Sequence, residues 1–321
     1  MSVSIGVDIG GTKIAAGLVD ESGAIVERVR KETPARSFDG VVDAIAAACS
    51  DLVAYARTHQ LELIEAVGMG AAGLVDETGS IVRFAPNLGW VEAPLGPRVT
   101  AASGLPTIVE NDATAAAWGE YRFGAGQGAR SLVAVTVGTG IGGGIIIGGH
   151  PLRGSFGMAA EFGHIVQVPE GRLCGCERRG CWEQYSSGNA LVREARHLAA
   201  ERRSAADILL GMGDGTPEGV SGVHVTNAAR AGDPVACEAF RRVGHALGRG
   251  MADLTAILDP DLYVLGGGVS EAGDFLLAPV VEAYEANVVA HQYRPAARIV
   301  LAQLSNDAGL IGAGDLARTL V

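Results

Sequence analysis

The chain has 321 residues, a hydrophobic fraction of 48%, 47 glycines and a net charge of −11. Its length suggests two domains rather than one core, and the composition fits a glycine-punctuated α/β enzyme, not a fibrous or disordered chain. The acidic balance, with no Lys- or Arg-rich run, argues against a nucleic-acid partner, and no apolar run approaches the ~20 residues of a membrane helix.

Val3–Ile9 is an apolar, β-branched strand. It is too short for a secretory core and has no basic leader, so a cytoplasmic location is expected, in keeping with reduced thiols. Gly10-Gly11-Thr12-Lys13 turns the chain into a second strand, Ile14–Val19, and a third is expected over Ala24–Val29. This is a meander, not a strand feeding a helix. Phe38–Thr58 has helical periodicity, Ala66–Gly70 and Thr107–Glu110 read as buried strands, and Asp112–Tyr121 reads as a helix with Asp112 at or near its N-cap. The helix N-terminus would tend to keep that carboxylate ionised.

The second half repeats the opening. Ser131–Val137 is a strand, Gly138–Gly144 turns it, and Ile145–Ile147 resumes as strand. The repetition suggests two related domains, with a glycine-rich connector at Tyr121–Gly128. Helices follow around Ala190–Arg202 and Ala236–Leu258, Gly213–Gly222 reads as a surface loop, and the strand Asp261–Leu265 ends in Gly266–Gly268.

Gly138-x-Gly140-x-x-Gly143 satisfies a dinucleotide-binding pattern, but that fold needs a helix directly after the glycines, and Ile145–Ile147 is β-branched strand. A nicotinamide dehydrogenase is therefore disfavoured, and a P-loop motif is absent. Two glycine hairpins can instead present bare amides to phosphate oxygens. Thr12 and Thr139 add hydroxyls and Lys13 a cation, while Asp8 stands where it can hold Mg²⁺ directly or through water. The alternative is that these are only tight hairpins.

Between Glu161 and Glu183 lie His164, Cys174, Cys176 and Cys181, three of the chain's five cysteines within eight residues. One imidazole and three thiols make a closed tetrahedral zinc set, which builds structure and leaves no open position for chemistry. A disulfide pair or a chance cluster is the alternative. Cys49 and Cys237 read as ordinary packed residues.

With Asp8-Ile-Gly-Gly-Thr-Lys13, Glu110-Asn-Asp112, Glu161-Phe-Gly-His164 and the cysteine box together, the chain resembles the ROK family from end to end. That family groups bacterial sugar kinases with sugar-responsive repressors. Within it, Val109–Glu120 is most similar to ATP-dependent glucokinases of the actinobacterial type. The resemblance implies an α/β fold of two actin-like, ribonuclease-H-like domains that close on a sugar: a small domain, 1–121 plus a final helix at about 308–321, and a large domain, 122–307, with the zinc loop. It implies ATP with Mg²⁺, structural Zn²⁺, and a homodimer or homotetramer. It also implies transfer of the γ-phosphate to the 6-hydroxyl of glucose with Asp112 as general base. Taken alone, a plain N-cap would be the better explanation of Asp112; its neighbour Asn111 and the resemblance favour the base.

The resemblance assigns Asn111, Glu161, His164 and Glu183 to the sugar hydroxyls, with one nitrogen of His164 on zinc and the other toward the sugar. Gly73 and Asn87 are further candidates for the pocket's other wall, although simple turn roles explain them as well. Gly267, Gly268 and Gly309 would flank the adenosine. Thr114 stands where many relatives carry a second Asn, and Glu177 where Gly is more usual; neither removes a ligand. The rivals are a kinase for mannose, fructose or N-acetylmannosamine, a polyphosphate-using glucokinase, and a sugar-sensing ROK regulator. The last is disfavoured because no helix-turn-helix precedes Val3.

Overall fold

A computed structural model describes residues 2–34 and 37–320. The chain separates into two compact units: Met1–Ala134 with Gly144–Ala160 and Gln303–Val321, and Val135–Gly143 with Glu161–Ala302. Both are α/β. The glycine-rich connector Tyr121–Gly128 lies inside the first.

In chain order, the first unit holds β1 (Ser2–Ile9), β2 (Lys13–Asp20), β3 (Ile25–Glu32), α1 (Phe38–Thr58), β4 (Glu62–Ala71), β5 (Leu74–Val75), β6 (Val82–Ala85), β7 (Trp90–Ala93), α2 (Leu95–Ser103), β8 (Thr107–Asn111) and α3 (Asp112–Phe123). Its main sheet runs β3-β2-β1-β4-β8 and is mixed: β1–β2 and β2–β3 are antiparallel, β1–β4 and β4–β8 parallel. Edge strand β3 carries Glu27, Arg28, Arg30, Lys31 and Glu32, charges that discourage pairing with another chain. A small antiparallel sheet, β5-β6-β7, lies beside it in sequence.

The two-residue period of β1 sorts its side chains between two helices. Val3, Ile5, Val7 and Ile9 join one core with Val41, Val42, Ile45, Ala48, Cys49 and Leu52 of α1. That helix starts at Ser37, whose hydroxyl accepts the Gly40 N–H at 3.1 Å. The alternate residues are small. Ser4 Oγ donates to Gly314 O at 2.7 Å, and a Cβ on Gly6 would lie 2.1 Å from Leu310 O. A Cβ on Gly68 of β4 would meet Ala313 O at 1.8 Å. Glycine therefore lets the C-terminal helix, Ala308–Ala317, lie backbone to backbone on the sheet. Asp8 is the next residue of this same row.

The next strands, β9 (Ser131–Val137) and β10 (Ile141–Ile147), are shared in sequence between the units. In the first unit Ile146 and Ile147 pair with β11 (His150–Pro151). The second unit continues with α4 (Glu183–Ser186), α5 (Gly188–Glu201), α6 (Asp207–Met212), α7 (Gly222–Arg230), α8 (Pro234–Leu258), β12 (Leu262–Gly266), α9 (Asp274–Asn287) and β13 (Arg298–Leu301). Its strands run β10-β9-β12-β13, the last pair parallel. The long α8 begins with Pro234 after Asp233, whose buried carboxylate accepts the Val235 and Ala236 amides at 2.9 Å each. The C-terminal helix named above is α10.

One expectation fails locally. The glycine run was read as a turn through Gly144, yet β10 begins at Ile141. Gly143 is strand because the Phe162 ring occupies the place of its Cβ, 1.7 Å away, and Gly144 because Ala117 Cβ lies 2.4 Å from that place. These glycines serve packing, not turning. Among the described residues no helix is long and apolar enough to cross a membrane.

Candidate functional site

In the first unit, the candidate residues gather at the carboxyl ends of the parallel strands β1, β4 and β8, where open α/β sheets bind ligands. Asp8 pairs in register with Gly70, and Gly70 with Glu110. A Cβ on Gly309, at the start of α10, would lie 3.6 Å from Asp8 Oδ1 and 3.9 Å from Asp112 O. Asp8, Asp112 and Gly309 are thus brought together, although they are far apart in sequence.

Burial dominates the ionisation of this pair. Asp8 is raised to about 6, first by burial and then by the charge of Asp112, with Lys13 opposing. Asp112 is raised as well, by burial, even though its Oδ1 accepts the Ala113 N–H at 2.9 Å. The expectation that the helix N-terminus would tend to keep Asp112 ionised is therefore corrected in direction: its backbone hydrogen bonds do not offset the loss of water. The N-cap of α3 is Asn111, whose Oδ1 accepts the Thr114 N–H at 3.0 Å, and Asp112 is the first helical residue.

The Asn111 amide also donates from Nδ2 to Gly73 O at 3.1 Å. Gly73 belongs there for a steric reason, since a Cβ would meet Phe84 O at 2.6 Å. Asn87 is exposed in the turn between β6 and β7. In the β1–β2 hairpin, Gly10 N–H donates to Lys13 O at 3.0 Å, and Gly11, Thr12 and Lys13 are exposed with nothing crowding Gly11.

An ion pair between a buried carboxylate and a half-buried arginine has no signature in the sequence. Arg153 Nε lies 3.0 Å from Glu110 Oε2, and its other nitrogens donate to Glu77 O and Asp76 O at 3.2 and 3.1 Å. Glu110 Oε1 accepts the Asn111 N–H at 2.9 Å. The pair ties β8, which ends at Asn111 just before Asp112, to the turn after β5. No short-range pattern announces it, because Arg153 is remote in sequence. Arg153→Met is expected to destabilise folding by about 3 kcal/mol, since it strands a buried carboxylate. Urea titration should show the double variant Glu110→Gln/Arg153→Met regaining most of that loss. A single variant within about 0.5 kcal/mol of wild type, the ordinary surface-substitution range, would remove the pair from this account.

In the second unit, His164, Cys174, Cys176 and Cys181 place one ligand atom each within 4.8 Å of one another. His164 Nδ1 is 3.6 Å from Cys174 Sγ, and the Cys176 and Cys181 sulfurs are 3.5 Å apart. Tetrahedral zinc with its usual bond lengths has such edges at about 3.5–3.8 Å, so these two edges and the chemistry of the four donors suit the metal. The loop is shaped by bridges between Leu173 and Arg179 and between Val166 and Cys181. Glu177 has φ +68°, the left-handed conformation that explains why glycine would suit this position. Burial pushes the Cys174 thiol up to about 12, so a cation's own field would be needed to draw off its proton.

Cys174 Sγ donates to Glu183 Oε1 at 3.0 Å. A Cβ on Gly140 would lie 2.6 Å from Glu183 Oε2, so this carboxylate joins the cysteine loop to the Gly138–Gly140 hairpin. Thr139 is exposed at the hairpin tip, and Gly138 O accepts the Gly188 N–H at 2.7 Å. Beside it, Gly267 has φ +84° and a Cβ there would meet Val137 O at 2.6 Å, while Gly268 is open. Glu161 precedes the short helical turn Phe162–His164 and is itself exposed. The unit thus unites His164, the three thiols, Glu183 and the two glycine loops.

The ROK family model matches residues 4–320. A glucokinase of Streptomyces coelicolor is 52% identical over 319 residues, 99% of this chain and 98% of its own. An N-acetylmannosamine kinase of Escherichia coli O157:H7 is 34% identical, with 98% of each chain covered. The crystal structure of a ROK family glucokinase from Streptomyces griseus in complex with glucose and AMPPNP superposes with TM-score 0.87 at 51% identity, covering 99% of both chains.

Proposed function

This chain belongs to the ROK family, and from that premise we infer that it is an ATP-dependent glucokinase of the actinobacterial type, making glucose 6-phosphate. The observation that carries the reading is 52% identity with a glucokinase over nearly the whole length. It is supported by a similar structure, 51% identical, that holds glucose and an ATP analogue.

Asp112 is the general base: it takes the proton of the sugar 6-hydroxyl as that oxygen attacks the γ-phosphate. A carboxyl raised by burial suits this role, because its anion is a stronger base than an exposed aspartate. Asn111, Glu161, His164 and Glu183 bind and orient the sugar hydroxyls, with Gly73 and Asn87 on another wall. His164 would hold zinc through one ring nitrogen, leaving the other for a hydroxyl. Gly10, Gly11, Thr12 and Lys13, with Gly138, Thr139 and Gly140, bind the phosphates through amides and side-chain donors. Gly267, Gly268 and Gly309 flank the adenosine. Asp8 is the carboxylate for Mg²⁺, which when bound with ATP neutralises phosphate charge. His164, Cys174, Cys176 and Cys181 hold a structural Zn²⁺ that orients Glu183. An actin-like two-domain layout, a cytoplasmic location and a homodimer or homotetramer complete the reading.

The rival with an observation behind it is an N-acetylmannosamine kinase, at 34% identity. The wider margin for glucokinase favours glucose. An ADP-release assay over a hexose panel decides between them, with zinc content measured on the same sample. Glucose is expected to give the highest kcat/KM; a higher value for N-acetylmannosamine would overturn the assignment.

A further inference from the structure

The second unit contains a cavity of about 330 Å³ whose wall carries Arg172, Arg193, Arg241, Arg242 and Arg249, with His245 among them. Five guanidiniums in one cavity stand out in a chain of net charge −11. Two of them are neutralised. Arg241 and Arg242 meet Glu238 at 2.7 and 2.8 Å, and Arg242 meets Glu194 at 2.6 Å. His245 has Glu282 at 3.3 Å.

Among the described residues, Arg172, Arg193 and Arg249 have no carboxylate at ion-pair distance. Arg193 donates to Gln184 O, Arg249 Nε donates to His245 O at 3.3 Å, and the Arg172 guanidinium sits 5.8 Å from the Tyr185 ring centroid. Burial and then the nearby Arg172 charge lower the pKa of Arg193, with Glu194 opposing. Clustering like charges costs stability, and a bound anion would relieve that cost.

We propose that this cavity binds a phosphorylated small molecule, with Arg172, Arg193 and Arg249 holding its phosphate. Guanidinium forks match phosphate oxygens two at a time, and a phosphate dianion balances charge that a single carboxylate would leave over. The volume lies at the small end of ligand pockets, the size of a metabolite rather than a polymer. Tyr185 and Gln184 link the cavity to the sugar-binding carboxylate. The Arg172 N–H donates to Tyr185 Oη at 2.8 Å, and Gln184 Nε2 donates to Glu183 Oε1 at 3.3 Å. Binding there changes glucose affinity through Glu183, a consequence that rests on the glucokinase reading; the anion site itself does not.

The test is calorimetry on the full chain with its active site saturated by glucose and a non-hydrolysable ATP analogue. Glucose 6-phosphate and inorganic phosphate are titrated separately, with succinate as a dicarboxylate control. One equivalent of at least one phosphate compound is expected to bind per chain. Binding should weaken ten-fold or more in Arg193→Gln/Arg249→Gln, with ligand-free kcat unchanged. Tighter binding of glucose 6-phosphate identifies a sugar phosphate as the ligand, and equal binding means that phosphate alone is read. If Arg193→Gln folds poorly, the exposed Arg249→Gln alone should still weaken binding measurably. No saturation by about 10 mM, equal binding of succinate, or undiminished binding in the variants would overturn the proposal. So would a fall in the variants' oligomer size by sedimentation, which would assign the arginines to contact with a second copy.

Discussion

Asp112→Asn should lower kcat by ~10²–10⁴ while leaving glucose affinity near its wild-type value. The substitution is nearly isosteric. An asparagine Oδ1 can still accept the Ala113 N–H that Asp112 accepts at 2.9 Å, and Asn111 still caps α3, so local structure survives. What is lost is a group able to take the hydroxyl proton. The pH profile carries a second, independent readout. Because burial raises Asp112, its protonated, inactive form persists above the pH at which an exposed aspartate has ionised. Wild-type activity should therefore fall as pH drops through a limb displaced upward from the ordinary aspartate range, and the residual activity of the variant should lack that limb. Asp8 is raised as well, to about 6. Its own variant, Asp8→Asn, is expected to act on the KM for MgATP instead. Near-normal turnover in Asp112→Asn would remove this residue from the mechanism.

Cys176→Ser should lower bound zinc well below one equivalent and raise the glucose KM by about ten-fold or more, the usual cost of disturbing a metal's support. The nucleotide KM should move far less. Glu183 stands two residues after Cys181, at the end of the loop that the ligands shape, so a loosened ligand set displaces a proposed sugar-binding carboxylate first. The Gly138–Gly140 hairpin, although Glu183 packs against it, is also held by β9, β10 and the Gly188 amide. Metal analysis alongside initial rates at varied glucose and ATP separates these effects. Collapse of ATP affinity ahead of glucose affinity would show that the loop serves the nucleotide instead, and full glucose phosphorylation by zinc-free protein would end the metal's structural role.

Elements with a strong local signature were legible in the residues alone. The helix Phe38–Thr58 and the strand Ser131–Val137 occupy the expected spans, because one keeps a helical apolar period and the other is a short, largely apolar run rich in valine. The metal set was legible for a related reason: three of its four ligands lie within eight residues, so the short loop itself limits how far apart they can be. The glycine run after Val137 was read only in part. Glycine permits a tight turn and close packing alike, and the choice was made by Phe162 and Ala117, neither of them nearby in sequence.

Residue identity and short-range spacing thus determined which groups are available: a carboxylate after β8, a histidine-and-thiol loop, and glycine hairpins bare enough to meet phosphate. Tertiary structure alone decided how those groups ionise and what they rest on. Asp8 and Asp112 are raised because sheet and helix withdraw water from them, Glu110 meets Arg153 because β8 and the segment after β11 are folded together, and Arg172 and Arg193 line one cavity. Desolvation and charge–charge energy depend on distance in space, and most of those distances are set by chain segments far apart in sequence.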